Sequence, residues 1–400
     1  MAVDLLFDSD CPVIPFIEGD GIGFEIWESS KEVFDASVEK AFQGKRKVEF
    51  EEILAGEKSF KKNNVWLPDE TLKKIKEKKI AIKGPLTTPV GEGMRSLNVR
   101  IRQELDLYAC VRPVKYYSPV PSPVKHPEKV NITVFRENTE DLYAGIEWDA
   151  SSDCAQKITK FMNEELSCTI KDDVSIGIKP ISPFGTKRLV SRALDHAFKN
   201  SLKSVTLMHK GNIMKYTEGG FRKWGYEIAR EKYGESVITE KDFYDKYNGI
   251  LPEGKVVIKD RIADMVFAEV LLRPEDFDII ACTNLNGDYI SDALAAQVGG
   301  LGIAPGANIG DNCAVFEATH GTAPDIAGKG FANPCSLILS GAMMFDYMGW
   351  NSVADLIRAG VSRALESGSL THDLASQVQG SKEVTCLDFG KLIAGFILEN

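Results

Sequence analysis

Short apolar runs recur along the chain, each bounded by polar or turn residues and separated by longer stretches in which apolar positions follow a helical period. Segments 13–17, 79–83, 174–179, 204–208 and 277–281 are β-type runs of this kind, and strands alternating with helices predict an α/β fold. The run 13–17 leads into Glu18-Gly-Asp-Gly-Ile-Gly23 and then the amphipathic stretch 24–42, which reads as strand, tight turn and helix. The glycines at 19, 21 and 23 lack the G-x-G-x-x-G spacing, so this turn reads as a close-packing device rather than a dinucleotide fingerprint. A further apolar run, 105–111, is followed by Arg112 and Pro113, which predicts a strand end from which the guanidinium points into a cleft. Arg136 follows 131–135 in the same way. The polar tract 234–255 reads as a surface insertion. Breaks near Tyr108, through 145–185 and at Gly299-Gly300 mark candidate seams between compact units.

At 400 residues the chain can bury a large core and divide into more than one unit. Its formal charge of −10 argues against a nucleic-acid footprint or a polybasic membrane patch, so an anionic substrate has to be captured by local arginines. The eight cysteines show neither CxxC nor Cys/His ligand spacing and read as reduced thiols of a cytoplasmic protein. No export signal is visible at the N-terminus. The longest uncharged stretch, 293–310, carries five glycines and a proline, so it predicts a loop-rich interior segment rather than a membrane span.

Chemistry enters with Asn284-Leu-Asn-Gly-Asp-Tyr-Ile-Ser-Asp292. On a helix, Asp288 and Asp292 would aim their carboxylates the same way. Such pairs commonly face only solvent. Asp264, closing Asp260-Arg-Ile-Ala-Asp264, adds a third acid, and a set of this kind with room for waters and substrate oxygens suits Mg²⁺ or Mn²⁺. Four arginines fall within 95–112, interleaved with Ser96 and Asn98, and arginine is the residue that forks onto carboxylates.

Five blocks occur in order along the chain: Arg95-Ser-Leu-Asn-Val-Arg-Ile-Arg, Arg136-Glu-Asn-Thr-Glu-Asp-Leu-Tyr-Ala-Gly-Ile-Glu-Trp, His209-Lys-Gly-Asn-Ile-Met-Lys, the 284–292 segment and Glu317-Ala-Thr-His-Gly-Thr-Ala-Pro. Together they resemble the signature blocks of the bacterial-type homodimeric isocitrate dehydrogenases, within the isocitrate/isopropylmalate dehydrogenase family. The resemblance implies that family's α/β fold, with a large domain of 1–107 and 299–400, a small domain of 108–140 and 186–298, and a clasp of 141–185 intertwined with a partner subunit. It implies oxidative decarboxylation of isocitrate to 2-oxoglutarate and CO₂ in shared sites of a homodimer. Asp264, Asp288 and Asp292 would hold the metal, which lowers the substrate hydroxyl pKa and stabilises an enolate. Lys210 would serve the hydroxyl proton and Tyr143 would protonate the enolate carbon, with Lys210 and Asp264 supplied by the partner. Arg102, Arg112 and Arg136 would bind substrate, and Ser96 and Asn98 the carboxylate that distinguishes isocitrate. Ser96 also matches a regulatory phosphorylation site of bacterial relatives, which implies a kinase and phosphatase. His209 is read as structural.

The cofactor positions implied are Lys83, Thr87, His320, Gly321, Asp325, Ile326, Asn333, His372 and Asp373. NADP-using relatives carry Lys-Tyr where this chain has Asp325-Ile326, and Tyr and Arg where it has His372 and Ser376. An acid at 325 can accept from a free ribose 2′-hydroxyl, and at ~4 Å with an effective dielectric of ~20 it would oppose a phosphate by ~4 kcal/mol per unit charge. NAD is therefore expected to be preferred over NADP. Three alternatives stay open: an NADP-dependent isocitrate dehydrogenase; a decarboxylating dehydrogenase for isopropylmalate, homoisocitrate or tartrate, against which Ser96 and Asn98 count; and a non-catalytic regulatory subunit. Such a subunit should lack one or more of Arg112, Tyr143, Lys210, Asp288 and Asp292, all of which are present.

Overall fold

The computed structural model describes residues 9–87 and 96–399; Arg95, which opens the arginine block, lies outside them. The apolar runs assemble into one eleven-stranded sheet. Its strands, numbered along the chain, are β1 (Val13–Ile17), β2 (Glu49–Glu52), β3 (Ile80–Lys83), β4 (Ala109–Lys115), β5 (Asn131–Glu137), β6 (Ser204–His209), β7 (Val237–Thr239), β8 (Val256–Ile262), β9 (Ile279–Cys282), β10 (Pro305–Ile309) and β11 (Ala314–Ala318). Their spatial order is β2-β1-β3-β11-β10-β4-β5-β9-β6-β8-β7. Strands near the two edges pair in parallel, whereas β10 runs antiparallel to both β11 and β4, and β4 antiparallel to β5. Two parallel halves thus meet at an antiparallel centre.

The parallel strands read as continuous apolar runs because helices cover both faces; β3, β6 and β9 are buried throughout. One core gathers Phe34, Phe345, Trp350 and Phe389 from the helices Gly23–Phe42, Cys335–Tyr347 and Cys386–Glu399 and the 348–350 link. A second packs Leu189, Leu194 and Phe221, from the helices Pro183–Lys199 and Glu218–Tyr233, against Phe135, Leu207 and Ile279. A third seats Leu97 and Ile101 of the helix Leu97–Glu104 beside Ile17 and Ala81, which fixes the helix that carries Asn98 and Arg102.

Three sequence expectations change. Segment 174–179 forms no strand of the main sheet: only Ile176–Gly177 pairs, with Glu147–Trp148 in a separate ladder. The two isoleucines there stand among Asp172, Asp173, Ser175 and Lys179, too polar a setting for a strand buried on both faces. Arg112 lies mid-strand in β4 rather than at its end. Pairing with β10 stops at Val111 while pairing with β5 continues to Lys115, so Pro113 falls where one edge is free and needs no N–H donor. Segment 293–310 is loop only in part, since it contains the end of the helix Asn284–Gln297 and all of β10. Among the described residues, no helix is long and apolar enough to cross a membrane.

The turn after β1 is a packing device, as read. Gly19 and Gly21 have φ of +92° and +59°, and a Cβ at Gly21 would lie 2.0 Å from the Thr322 carbonyl oxygen. The Ile22 N–H donates to that same carbonyl at 3.0 Å, and the Asp20 N–H donates to Pro85 O at 2.7 Å. Gly21→Ala should therefore cost about 1–3 kcal/mol, read as a lower urea midpoint at fixed protein concentration with an unchanged slope; an unshifted midpoint would show that the turn can relax.

Candidate active site

The helix Asn284–Gln297 starts directly after β9 and lies beside the C-terminal end of β5, which carries Arg136. Gly287 makes this approach feasible, because a Cβ there would sit 2.5 Å from Cβ and Cγ of Arg136. Arg136 is 1% exposed. Its Nε donates to Asn284 Oδ1 at 2.8 Å, its Nη1 closes on Asp288 Oδ1, and its guanidinium carbon stands 4.7 Å from the centre of the Tyr143 ring. The Tyr143 hydroxyl donates to Asp288 Oδ2 at 2.7 Å. One turn on, Asp292 Oδ1 accepts from Arg112 Nη1 at 2.9 Å, and the same nitrogen donates to Ser291 Oγ at 2.7 Å.

These pairings split the two acids. Burial raises both carboxyls, but at Asp288 Arg136 and the Tyr143 hydroxyl outweigh it and hold the group below its ordinary value. Asp292 ends above its ordinary value, because burial and the neighbouring Asp288 charge exceed what Arg112 returns. Burial, reinforced by Asp288, also keeps the Tyr143 phenol above its usual value, so it is protonated at neutral pH.

A second charged group centres on Glu317 of β11. Its Oε2 accepts from Lys83 Nζ at 2.8 Å; its Oε1 accepts from Arg102 Nη2 at 2.8 Å and Asn308 Nδ2 at 2.7 Å. Burial alone would raise this carboxyl, yet Lys83 and Arg102 hold it well below the usual range. Asn138 Nδ2 donates to Asn308 Oδ1 at 2.9 Å and so joins this group to the segment after Arg136. Lys83, Asn98, Arg102, Arg112, Glu317 and His320 are among the residues lining a cavity of ≈ 190 Å³. Arg102 Nε, Arg136 Nη2, Asn98 Oδ1 and His320 Nε2 are buried without a hydrogen-bond partner among the described residues. Ser96 is the N-cap residue of the Asn98 helix, but its side chain makes no cap hydrogen bond. Sequence reasoning gave no role to Glu317 or Asn308. The available signal was a lone acid inside the apolar strand Ala-Val-Phe-Glu-Ala, since an acid in such a strand has to be paired.

Lys210 and Asp264 form a close ion pair with each other. Among the described residues of one chain, no cluster of three or more His, Cys, Asp or Glu side chains could hold a metal. His209 is fully engaged: Nδ1 accepts from the Gly211 N–H at 2.9 Å and Nε2 pairs with Asp260 at 3.0 Å.

The expected cofactor residues fall in two places. His320, Gly321, Ile326, Asn333 and Asp373 are among the lining of a neighbouring cavity of ≈ 390 Å³, so His320 borders both cavities. Asn333 Nδ2 donates to Asp373 Oδ2 at 3.0 Å, which sets the amide's orientation. His372 stacks on Phe331 with ring centres 4.5 Å apart and meets Glu383 at 3.1 Å. Asp325 and Ser376 are exposed. Lys83 lines the smaller of the two cavities, and Thr87 donates its N–H to Asp20 at 2.8 Å and its hydroxyl to Glu57 at 3.2 Å.

A family model described as isocitrate/isopropylmalate dehydrogenase matches residues 13–393. The chain belongs to the isocitrate/isopropylmalate dehydrogenase family. It is 56% identical over 373 residues to a protein of Archaeoglobus fulgidus named isocitrate dehydrogenase (NADP), covering 93% of this chain and 90% of that one. It is 55% identical over 372 residues to one of the same name from Streptococcus salivarius, covering 92% of each. The crystal structure of isocitrate dehydrogenase from Methylococcus capsulatus matches at a TM-score of 0.79 and 35% identity, over 97% of this chain and 99% of that one.

These NADP-named relatives overturn the expectation that this family member prefers NAD. Asp325 is exposed, so water and salt screen its charge, and its identity alone does not set the preference.

Removing the Glu317 charge would strand two buried cations. Glu317→Gln should destabilise the folded protein by about 3–5 kcal/mol at neutral pH, measured by chemical denaturation. The wild-type contribution has a definite sign with pH. Because the folded carboxyl is depressed, its stabilisation is complete above the ordinary glutamate pKa and declines as pH falls below it. The variant should lack that acid-side component, and parallel acid profiles for the two proteins would count against the pairing.

Proposed function

We propose that the chain is an NADP-dependent isocitrate dehydrogenase that oxidatively decarboxylates isocitrate to 2-oxoglutarate and CO₂ with a divalent metal, as a homodimer with shared sites. The observation that carries this reading is the set Arg102, Arg112 and Arg136, three buried guanidiniums of which two keep an unpartnered N–H group, with Arg102 and Arg112 lining one cavity. A buried donor left unmade costs about 1–3 kcal/mol, and a polycarboxylate answers it with charge-assisted hydrogen bonds. Ser96 and Asn98 are assigned to the third carboxylate. A phosphate on Ser96 would confront that carboxylate, which is the basis for assigning it as a site of regulation by a kinase.

When bound, a divalent ion supplies Lewis acidity and the nicotinamide accepts the hydride; the chain's own groups bind, orient and move protons. Asp288 and Asp292 offer two carboxylates from one helix, and the partner subunit's Asp264 is the third. Tyr143 serves as the acid that protonates carbon after CO₂ leaves. The partner subunit's Lys210 takes the hydroxyl proton. Supporting an exchange between subunits, Ile213, Tyr216, Met265, Leu271 and Leu272, near Lys210 and Asp264 in the chain, are exposed, as are Leu142, Ile146, Phe161 and Leu166 of the 141–185 clasp. The large and small domains assigned above would meet at the antiparallel β10–β4 pairing.

Initial rates with isocitrate decide the chemistry. Turnover should require Mg²⁺ or Mn²⁺, be faster with NADP than with equal low NAD, and fall by at least ~10²-fold in a folded Asp288→Asn variant. Preference for NAD, or wild-type turnover and Mg²⁺ affinity in that variant, would reject the corresponding assignment. For the shared site, Tyr143→Phe and Lys210→Met should each be nearly inactive alone. Mixed after subunit exchange, they should recover roughly a quarter of wild-type activity, since half of the dimers are hybrids with one intact site. No recovery after verified exchange would refute the sharing.

A further inference from the structure

The polar network at the start of the helix Asn284–Gln297 extends well beyond that helix. Glu218 opens the helix Glu218–Tyr233 and is fully buried. Its Oε1 accepts from Thr283 Oγ1 at 2.9 Å and pairs with Lys179 Nζ at 3.0 Å. Its Oε2 accepts from the backbone N–H of Lys210 and from Asn286 Nδ2, both at 2.9 Å. Lys179 also closes on Oδ1 of Asp141, another buried acid, whose Oδ2 accepts the Leu285 N–H at 2.9 Å. Asp141 has a φ of +68° and stands two residues before Tyr143. A non-glycine residue stays in that region only where its surroundings hold it.

One ionic knot therefore holds three segments: the turn 141–144 with Tyr143, the loop bearing Lys210, and the start of the helix bearing Asp288 and Asp292. Two carboxylates and one ammonium leave a net negative charge at two helix N-termini, where free N–H groups and the helix dipole favour it.

We propose that Glu218, with Lys179 and Asp141, is a positioning hub for the reaction. The proposal rests on the shared-site reading, and under that reading one hub serves two active sites. It orients Tyr143 and the acid-bearing helix of its own site, and it sets the backbone of the Lys210 sent to the partner's site. A shift of the knot in one subunit is then felt at both centres.

Glu218→Gln keeps the side chain's size but removes its charge. Among folded dimers, kcat should fall about 10- to 100-fold, the usual range for residues that orient a reactive shell, with the isocitrate KM little changed. Lys179→Met should behave alike, and Lys179→Arg should recover most of the loss. If Glu218→Gln fails to fold, Thr283→Val and Asn286→Ala each delete one donor to the hub and should show the same split on a smaller scale. Unchanged kcat in folded variants, or a loss confined to thermal stability, would overturn the hub.

Two hybrids test its double service against the Tyr143→Phe/Lys210→Met control. Paired with Tyr143→Phe, the Glu218→Gln chain supplies the surviving site's Tyr143 and acid-bearing helix; paired with Lys210→Met, it supplies only that site's Lys210 and Asp264. Both hybrids should fall below the control, and full control activity in either would overturn service to two sites. A control that shows no recovery sinks the shared site itself, and the kcat-against-KM split in the homodimers still decides whether Glu218 positions the reactive groups.

Discussion

A guanidinium does not give up its proton, so burying Arg136 to 1% exposure dictates what surrounds it. Its stem lies against Gly287, Nε takes Asn284, Nη1 takes Asp288, and its face covers the Tyr143 ring. These contacts fix the rotation of the helix Asn284–Gln297 about its own axis, and with it the position of Asp292 against Arg112 one turn later. The opposite wall follows the same rule with the sign reversed, since the buried Glu317 carboxylate demands Lys83 and Arg102. In both walls, most polar valences are spent on neutralising one another. Of the residues with a valence left over, Asn98, Arg102 and His320 line one cavity.

What could be read in the sequence follows from burial. Strands covered on both faces announce themselves as apolar runs, which is why β1, β3, β6 and β9 were legible and the half-exposed 174–179 segment misled. Arginines inside apolar strands were legible for the same reason, because such cations require a purpose. Asp288 and Asp292 were legible through their helical spacing. Glu218 was not, standing in Tyr-Thr-Glu-Gly-Gly like any polar residue at a helix start. Its meaning comes entirely from the convergence of residues 141, 179, 210 and 283–286, which are distant in sequence and share no pattern.

The cofactor shows the opposite failure, in which residue identity was given too much weight. The family resemblance set Asp325, His372 and Ser376 against the residues of NADP-using relatives. A charge's effect depends on dielectric more than on identity, however, and between a pair near a protein surface and one in bulk water the same distance changes the energy about fourfold. Exposure cannot be read from one loop residue, so identity at positions 325, 372 and 376 was a weaker argument than overall similarity to NADP-named proteins.

The two walls of the cleft are joined through neutral groups. Glu317 is acceptor-only when ionised, which turns the Asn308 amide so that Nδ2 donates to it and Oδ1 faces Asn138. Asn138 answers with its own Nδ2, which also donates to the Leu107 carbonyl at 2.9 Å. Asn138 lies two residues beyond Arg136, so the orientation of one amide is set by a carboxylate in one wall and passed to the strand end that carries the other wall's guanidinium. An ion pair could not do this, because each partner has only one hydrogen-bonding sense. An amide carries both, and β10 and β5 lie on opposite sides of β4, close enough for two amides to bridge the antiparallel centre of the sheet.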